Sequence, residues 1–152
     1  MPSDREKLLL SPADYFRLAD AHLRSCRFRQ TEFDGPQIVS DGRVYHFGGA
    51  IILQNDYELT FDETCFCESK FELVRDIRYD FRLTGATVET FRFDNHGRLL
   101  ALNGACHLHL GGQSELEDGD SRLRGYSLVD MHLVEVVKLV CKFFRREDLP
   151  WQ

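Results

Sequence analysis

The stretch "IRYDFRLTGATVETFRFD", residues 77–94, decides the fold of this chain. Tyr79, Phe81 and Leu83 alternate with Arg78, Asp80 and Arg82. After "TGA" at 84–86 the alternation resumes, with Phe91 and Phe93 set against Thr90, Arg92 and Asp94. A period of two sends successive side chains to opposite faces of a strand. Two such runs around a small-residue turn predict neighbouring antiparallel strands with one apolar face and one polar face.

The same pattern extends outward. "YELTF" (57–61) and "CHLHL" (106–110) alternate, and "RVYHFGGAIILQN" (43–55) is rich in β-formers. "DG" at 41–42, "ND" at 55–56 and "NHG" at 95–97 mark turns. The spacing predicts an antiparallel meander of about five or six strands. Helices are expected at both ends. In "SPADYFRLADAHLRSC" (11–26) Ser11 can cap, Pro12 suits the first turn, and Tyr15, Leu18, Ala19 and Leu23 form a stripe. In 127–146, Ser127 with Asp130 resembles a capping box, and Leu133, Val136, Val137, Val140, Phe143 and Phe144 make a broad apolar face. The acidic stretch at 111–125 reads as a solvated loop. The expected class is α+β, a single domain over 1–152, with both helices on the apolar face of the sheet and a polar face opposite.

Composition narrows the function. Hydrophobic residues are 43% and charged residues 29%, which is globular, and the 12 phenylalanines point to an aromatic core. The five cysteines are odd in number, and the N-terminal stretch has only a three-leucine run, too short for an export signal. A cytoplasmic location with reduced thiols is the expectation. Cys65 and Cys67 are spaced as neither a redox pair nor a zinc knuckle. No apolar run reaches the length of a membrane span, so no membrane partner is expected. A net charge of −6 disfavours nonspecific binding of RNA or DNA, although 15 of the 19 basic residues are arginines, which suit forked contacts with phosphate.

Alternation gathers the polar residues on one face: Glu58, Asp80, Arg82, Arg92, Asp94, His107 and His109. Three chemistries fit this set. Histidine can act as general acid or base while arginine stabilises a phosphorane, as in metal-independent cleavage of RNA by its own 2′-OH. Two histidines at i and i+2 with Asp94 or Glu58 can bind a divalent metal. The face can also be a salt-bridged surface for a protein partner. Under the first reading His107 and His109 are the acid–base pair, Arg92 and Arg82 bind phosphate, and Asp94 orients a histidine. Asp80, Asn95, His96 and Glu58 then complete a substrate-binding fringe, with no metal and no cofactor. His22, His46 and His132 have weaker claims.

The segments "YELTFDE" (57–63), "RYDFRL" (78–83), "FRFDN" (91–95) and "CHLHLG" (106–111), between an N-terminal and a C-terminal helix, resemble the TumE-type toxins of bacterial toxin–antitoxin pairs. "CHLHLG" is also similar to a His-Leu-His-hydrophobic-Gly segment in a sister group of uncharacterised bacterial proteins. The resemblance implies a ribonuclease-like toxin with a cognate antitoxin, working in a homo-oligomer or hetero-complex. The rival expectation is a non-enzymatic interaction module or accessory subunit, which the acidic charge favours.

Overall fold

The structure is a computed structural model that describes residues 7–8, 10–30, 36–69, 72–95, 106–111, 114–129 and 131–152. The hairpin predicted from 77–94 is present. Strands β5 (Glu72–Thr84) and β6 (Glu89–Asp94) pair antiparallel, with Phe81 opposite Phe93 and Arg82 opposite Arg92. They lie inside a seven-stranded meander in which every strand pairs with its chain neighbour. The other members are β2 (Gln37–Asp41), β3 (Val44–Ile52), β4 (Glu58–Ser69), β7 (His107–Leu110) and β8 (Ser114–Glu117). The two-residue β1 (Lys7–Leu8) pairs with the first half of β5, the half that the shorter β6 does not reach.

The meander is longer than five or six strands for two reasons. The "DG" turn, with Gly42 at φ +63°, folds β2 back on β3. The acidic stretch 111–125 is not all loop: Ser114–Glu117 forms β8, with Leu116 opposite Leu108. Leu116 is fully buried between exposed Glu115 and Glu117. One apolar residue among acids has little strand propensity of its own, so β8 owes its existence to the buried surface that Leu108 offers.

Helix α1 (Pro12–Arg24) starts as expected, with the Ser11 hydroxyl accepting a hydrogen bond from the Asp14 amide at 3.1 Å. Helix α2 (Leu133–Phe144) starts later than Ser127. The Ser127 hydroxyl accepts from the Val129 amide instead, and the Leu128 amide donates to Asp118 at 2.8 Å. Those contacts and the buried Leu128 side chain tie 127–129 to the turn after β8. His132 holds the N-cap position and makes no side-chain cap. Asp130 and the turn "NHG" at 95–97 lie largely outside the described residues.

Both helices cover the apolar face. Ala19 and Leu23 of α1 and Leu133, Val136, Val137 and Val140 of α2 join one core with Leu59, Phe81, Leu83, Phe91, Phe93 and Leu108. Trp151 packs edge-on against Phe91 and Phe93. A smaller cluster joins Tyr15 of α1 to Phe47 and Cys65. Among the described residues no helix is long and apolar enough to cross a membrane.

Gly49 faces Phe61 across β3 and β4, and the Phe61 ring lies over it: a Cβ there would meet ring carbons at 2.6 Å. A Cβ on neighbouring Gly48 would meet only ordinary contact, the nearest atom being the Phe61 carbonyl oxygen at 3.7 Å. Gly49→Ala should therefore lower stability by about 1–3 kcal/mol. Gly48→Ala should be neutral or stabilising by about 0.5–1 kcal/mol. Urea unfolding of the two variants checks the pair, and equal losses would contradict the packing.

Candidate functional site

The register lays the polar face out as a grid. One row runs Asp62, Asp80, Asp94, His107, Glu117 across β4 to β8. The next runs Thr60, Arg82, Arg92, His109, Glu115. Asp94 of β6 and the two histidines of β7 meet where these rows lie side by side. Asp94 is only 3% exposed, an unusual place for a carboxylate without strong partners. Its Oδ2 lies 2.8 Å from Arg92 Nε and 3.4 Å from His109 Nε2, and its Oδ1 lies 4.0 Å from His107 Nδ1. His107 also reaches outward, with Nδ1 3.6 Å from Glu115 and Nε2 3.9 Å from Glu117. The two imidazoles stand nearly perpendicular, with ring centres 6.3 Å apart.

These contacts are close but poorly aligned. Nε2 of His109 and Nε of Arg92 are buried, and neither makes a well-formed hydrogen bond among the described residues. A buried donor or acceptor left in that state is costly. One ligand atom each from Asp94, His107 and His109 lies within 4.8 Å of the others, so this trio can hold a metal ion.

Arg82 binds Asp80 through two hydrogen bonds, from Nε at 2.7 Å and from Nη2 at 2.8 Å. Those bonds, and the charges of Asp80, Glu89 and Asp94, push the guanidinium further up from its already high range. Glu89 sits between the two arginines, 3.9 Å from Arg82 and 3.5 Å from Arg92. Beside Asp80 and Arg82 the face forms an open groove of about 500 Å³, lined also by His46, Thr60, Asp62, Thr64 and Arg78.

The structure thus brings together Asp80, Arg82, Arg92, Asp94, His107 and His109. It does not bring in Glu58, which pairs with Ile52 and Thr84, one row away and three strands from His109. At ordinary strand spacing that is roughly 14 Å. Nor does it present Asn95 to the face. Asn95 is buried and its side-chain oxygen accepts from the Tyr79 amide at 2.8 Å, extending the β5–β6 ladder. His96 lies outside the described residues.

Sequence reading missed Glu115, Glu117 and Glu89 as neighbours of the site. The signal for the first two was the alternation around Leu116. It also missed Glu63, fully buried under α1 and bonded to the Tyr15 hydroxyl, although the period of two through Leu59 and Phe61 puts it on the apolar face. Away from the site, Cys26 and Cys141 share a thiol–thiol hydrogen bond. That bond and the Phe28 amide hold the Cys26 thiol down at about 6, against the upward push of burial, while the bond and burial push Cys141 up.

No family model, no curated protein and no solved structure matches the chain.

Breaking the two Asp–Arg pairs should cost different amounts. Asp94 is nearly buried and its Arg92 partner is one-quarter exposed, so Asp94→Asn should lose about 1–3 kcal/mol. Arg82 is 43% exposed, and Asp80→Asn should lose under about 1 kcal/mol. Chemical denaturation at neutral pH ranks them, and the reverse order would show that Asp94 is not the anchor of the cluster.

Proposed function

We propose that this chain is a histidine-dependent, ribonuclease-like enzyme of the toxin–antitoxin or defence kind, as its resemblance to TumE-type toxins implies. One observation carries the reading: a nearly buried carboxylate, Asp94, stands between two histidines on one strand face. A carboxylate so placed orients imidazoles and stabilises the imidazolium form. On His109 the nitrogen turned to Asp94 is Nε2, which leaves Nδ1 for proton transfer. On His107 it is Nδ1, which leaves Nε2.

In the proposed reaction one imidazole takes the proton of the ribose 2′-OH. The 2′-oxygen then attacks phosphorus, the P–O5′ bond breaks, and the other imidazole protonates the leaving 5′-oxygen. Arg82 Nη1 and Arg92 face the same side and can donate to a non-bridging oxygen. The contacts in the free protein are loose, as catalytic hydrogen bonds often are before substrate binds.

A second reading is supported by the charge of the face. Both arginines are already engaged by Asp80, Asp94 and Glu89, and Glu115 and Glu117 flank the histidines. A surface of this sign suits a basic protein partner better than RNA. Under this reading the chain is an interaction module that meets its partner across the polar face.

Induced expression separates the two. The wild type should arrest bacterial growth with loss of RNA. His107→Ala/His109→Ala should abolish both while the protein stays folded, each acid–base group being worth roughly 10²–10⁴-fold. Growth arrest by the double variant would refute the enzymatic reading. Absence of arrest in either strain, with stoichiometric capture of one basic protein, would favour the module.

A further inference from the structure

The trio shared by the two adjacent rows has a second chemical meaning, independent of acid–base catalysis. We propose that Asp94, His107 and His109 bind one divalent transition-metal ion of the zinc class.

Strand geometry supplies the first argument. Residues two apart on a strand share a face, and the cross-strand neighbour of one of them completes a triangle. His107 and His109 are two apart, and Asp94 is the cross-strand partner of His107. All three side chains converge, with one ligand atom from each within 4.8 Å of the others. The 3.4 Å from Asp94 Oδ2 to His109 Nε2 is the spacing of ligands around a common ion, and the 4.0 Å from Asp94 Oδ1 to His107 Nδ1 closes to it with a small turn of the side chains. With bonds of about 2.0–2.1 Å, the edge of a tetrahedral site is about 3.3–3.4 Å, and wider angles lengthen it.

The second argument is the polar atom the fold leaves unserved. Nε2 of His109 is buried and has no well-formed hydrogen bond among the described residues. Asp94 is close enough but misaligned for a proton bridge. A cation seated between the nitrogen and the carboxylate would satisfy both at once.

Charge supplies the third. Glu115, 3.6 Å from His107 Nδ1, is exposed and can add a fourth oxygen ligand, and Glu117 adds negative potential. Arg92 is the opposing charge. It approaches Asp94 through Oδ2, the oxygen that also faces His109, and so steadies the carboxylate while Oδ1 faces His107. Two imidazoles and a carboxylate are borderline ligands that suit zinc, cobalt and nickel, whereas calcium and magnesium prefer oxygen alone.

Metal binding needs both imidazoles neutral with a nitrogen lone pair turned to the ion, and the acid–base reaction needs those same groups free. On the catalytic reading, bound metal is therefore an inhibitor of the site.

The test uses the full chain, purified without a polyhistidine tag and stripped with chelator. Zn²⁺ binding is followed by competition with a chromophoric chelator, and Co²⁺ by its visible absorption. One equivalent per chain is expected. Affinity should fall at least tenfold in His107→Ala, in His109→Gln, which keeps the side-chain volume, and in Asp94→Asn. It should be unchanged in His46→Ala, with circular dichroism confirming that each variant is folded. Binding below about 0.2 equivalents, or binding that all three site variants keep, would overturn the proposal. RNA cleavage is assayed on the same samples. Cleavage by the metal-free chain that stops with one equivalent of Zn²⁺ would support both readings. Cleavage unaffected by that equivalent would overturn the shared site. Stoichiometric metal with no cleavage in either state would uphold the metal site and refute the nuclease.

Discussion

Everything on the polar face depends on one buried row of side chains. Phe61, Phe81, Phe93, Leu108 and Leu116 lie opposite one another across β4 to β8, and all are buried. Each such side chain is worth roughly 1.5–3 kcal/mol when removed from water. A slip of one residue in β7 would send Leu108 to solvent and both histidines into the core, so that register is closed. A slip of two would keep the faces but put Leu110 or Cys106 opposite Phe93, breaking the Leu108–Leu116 match. The core therefore selects a single alignment, and that alignment sets Asp94 beside His107 and Arg92 beside His109. The site is a by-product of packing on the other side of the sheet.

The grid then decides the electrostatics. Asp62, Asp80 and Asp94 fall in one row on three consecutive strands, where like charges oppose one another. The adjacent row answers with Arg82 and Arg92, each holding the carboxylate two residues away on its own strand. Acid and base thus pair along the strands, while Glu89 is shared by the two arginines and Glu115 and Glu117 lie against His107. A phosphate entering here must compete for arginines that are already bonded. A cation finds carboxylate and imidazole facing it. A cation is met by Asp94 and His109 already 3.4 Å apart, whereas a phosphate has Arg82 Nη1, the nitrogen outside the Asp80 pair, as its first donor.

Much of this was legible in the sequence, and the limits have physical reasons. The faces followed from a period of two in "RYDFRL", "TFRFD" and "CHLHL", because each run is long enough for burial to enforce it. The Ser11 cap was legible because capping is local. The start of α2 was not, since the Leu128 amide is held by Asp118 and its side chain is buried, which ties 127–129 to the turn after β8. Strand β8 was hidden because only Leu116 carries its apolar period. Asn95 looked like part of the fringe because it follows Asp94, yet one step along a strand reverses the face, and its amide serves the Tyr79 backbone. Glu58 shared the face but not the site, since parity assigns a face and only register assigns a position on it.

The strand that the sequence concealed is also the one that makes the histidine pair more than a surface feature. Without β8, β7 would be the sheet edge, and His107 and His109 would stand beside open solvent. With it, both imidazoles have strands on either side: Asp94 and Arg92 from β6, Glu117 and Glu115 from β8. Their side chains are reduced to 17% and 20% exposure, enough to remain reachable and too little for water to satisfy every nitrogen. A surface histidine would have no reason to leave Nε2 buried and misaligned. The Leu108–Leu116 contact beneath holds β7 and β8 together, and any ligand that completes the coordination of Asp94, His107 and His109 would also tie β6 more tightly to β7.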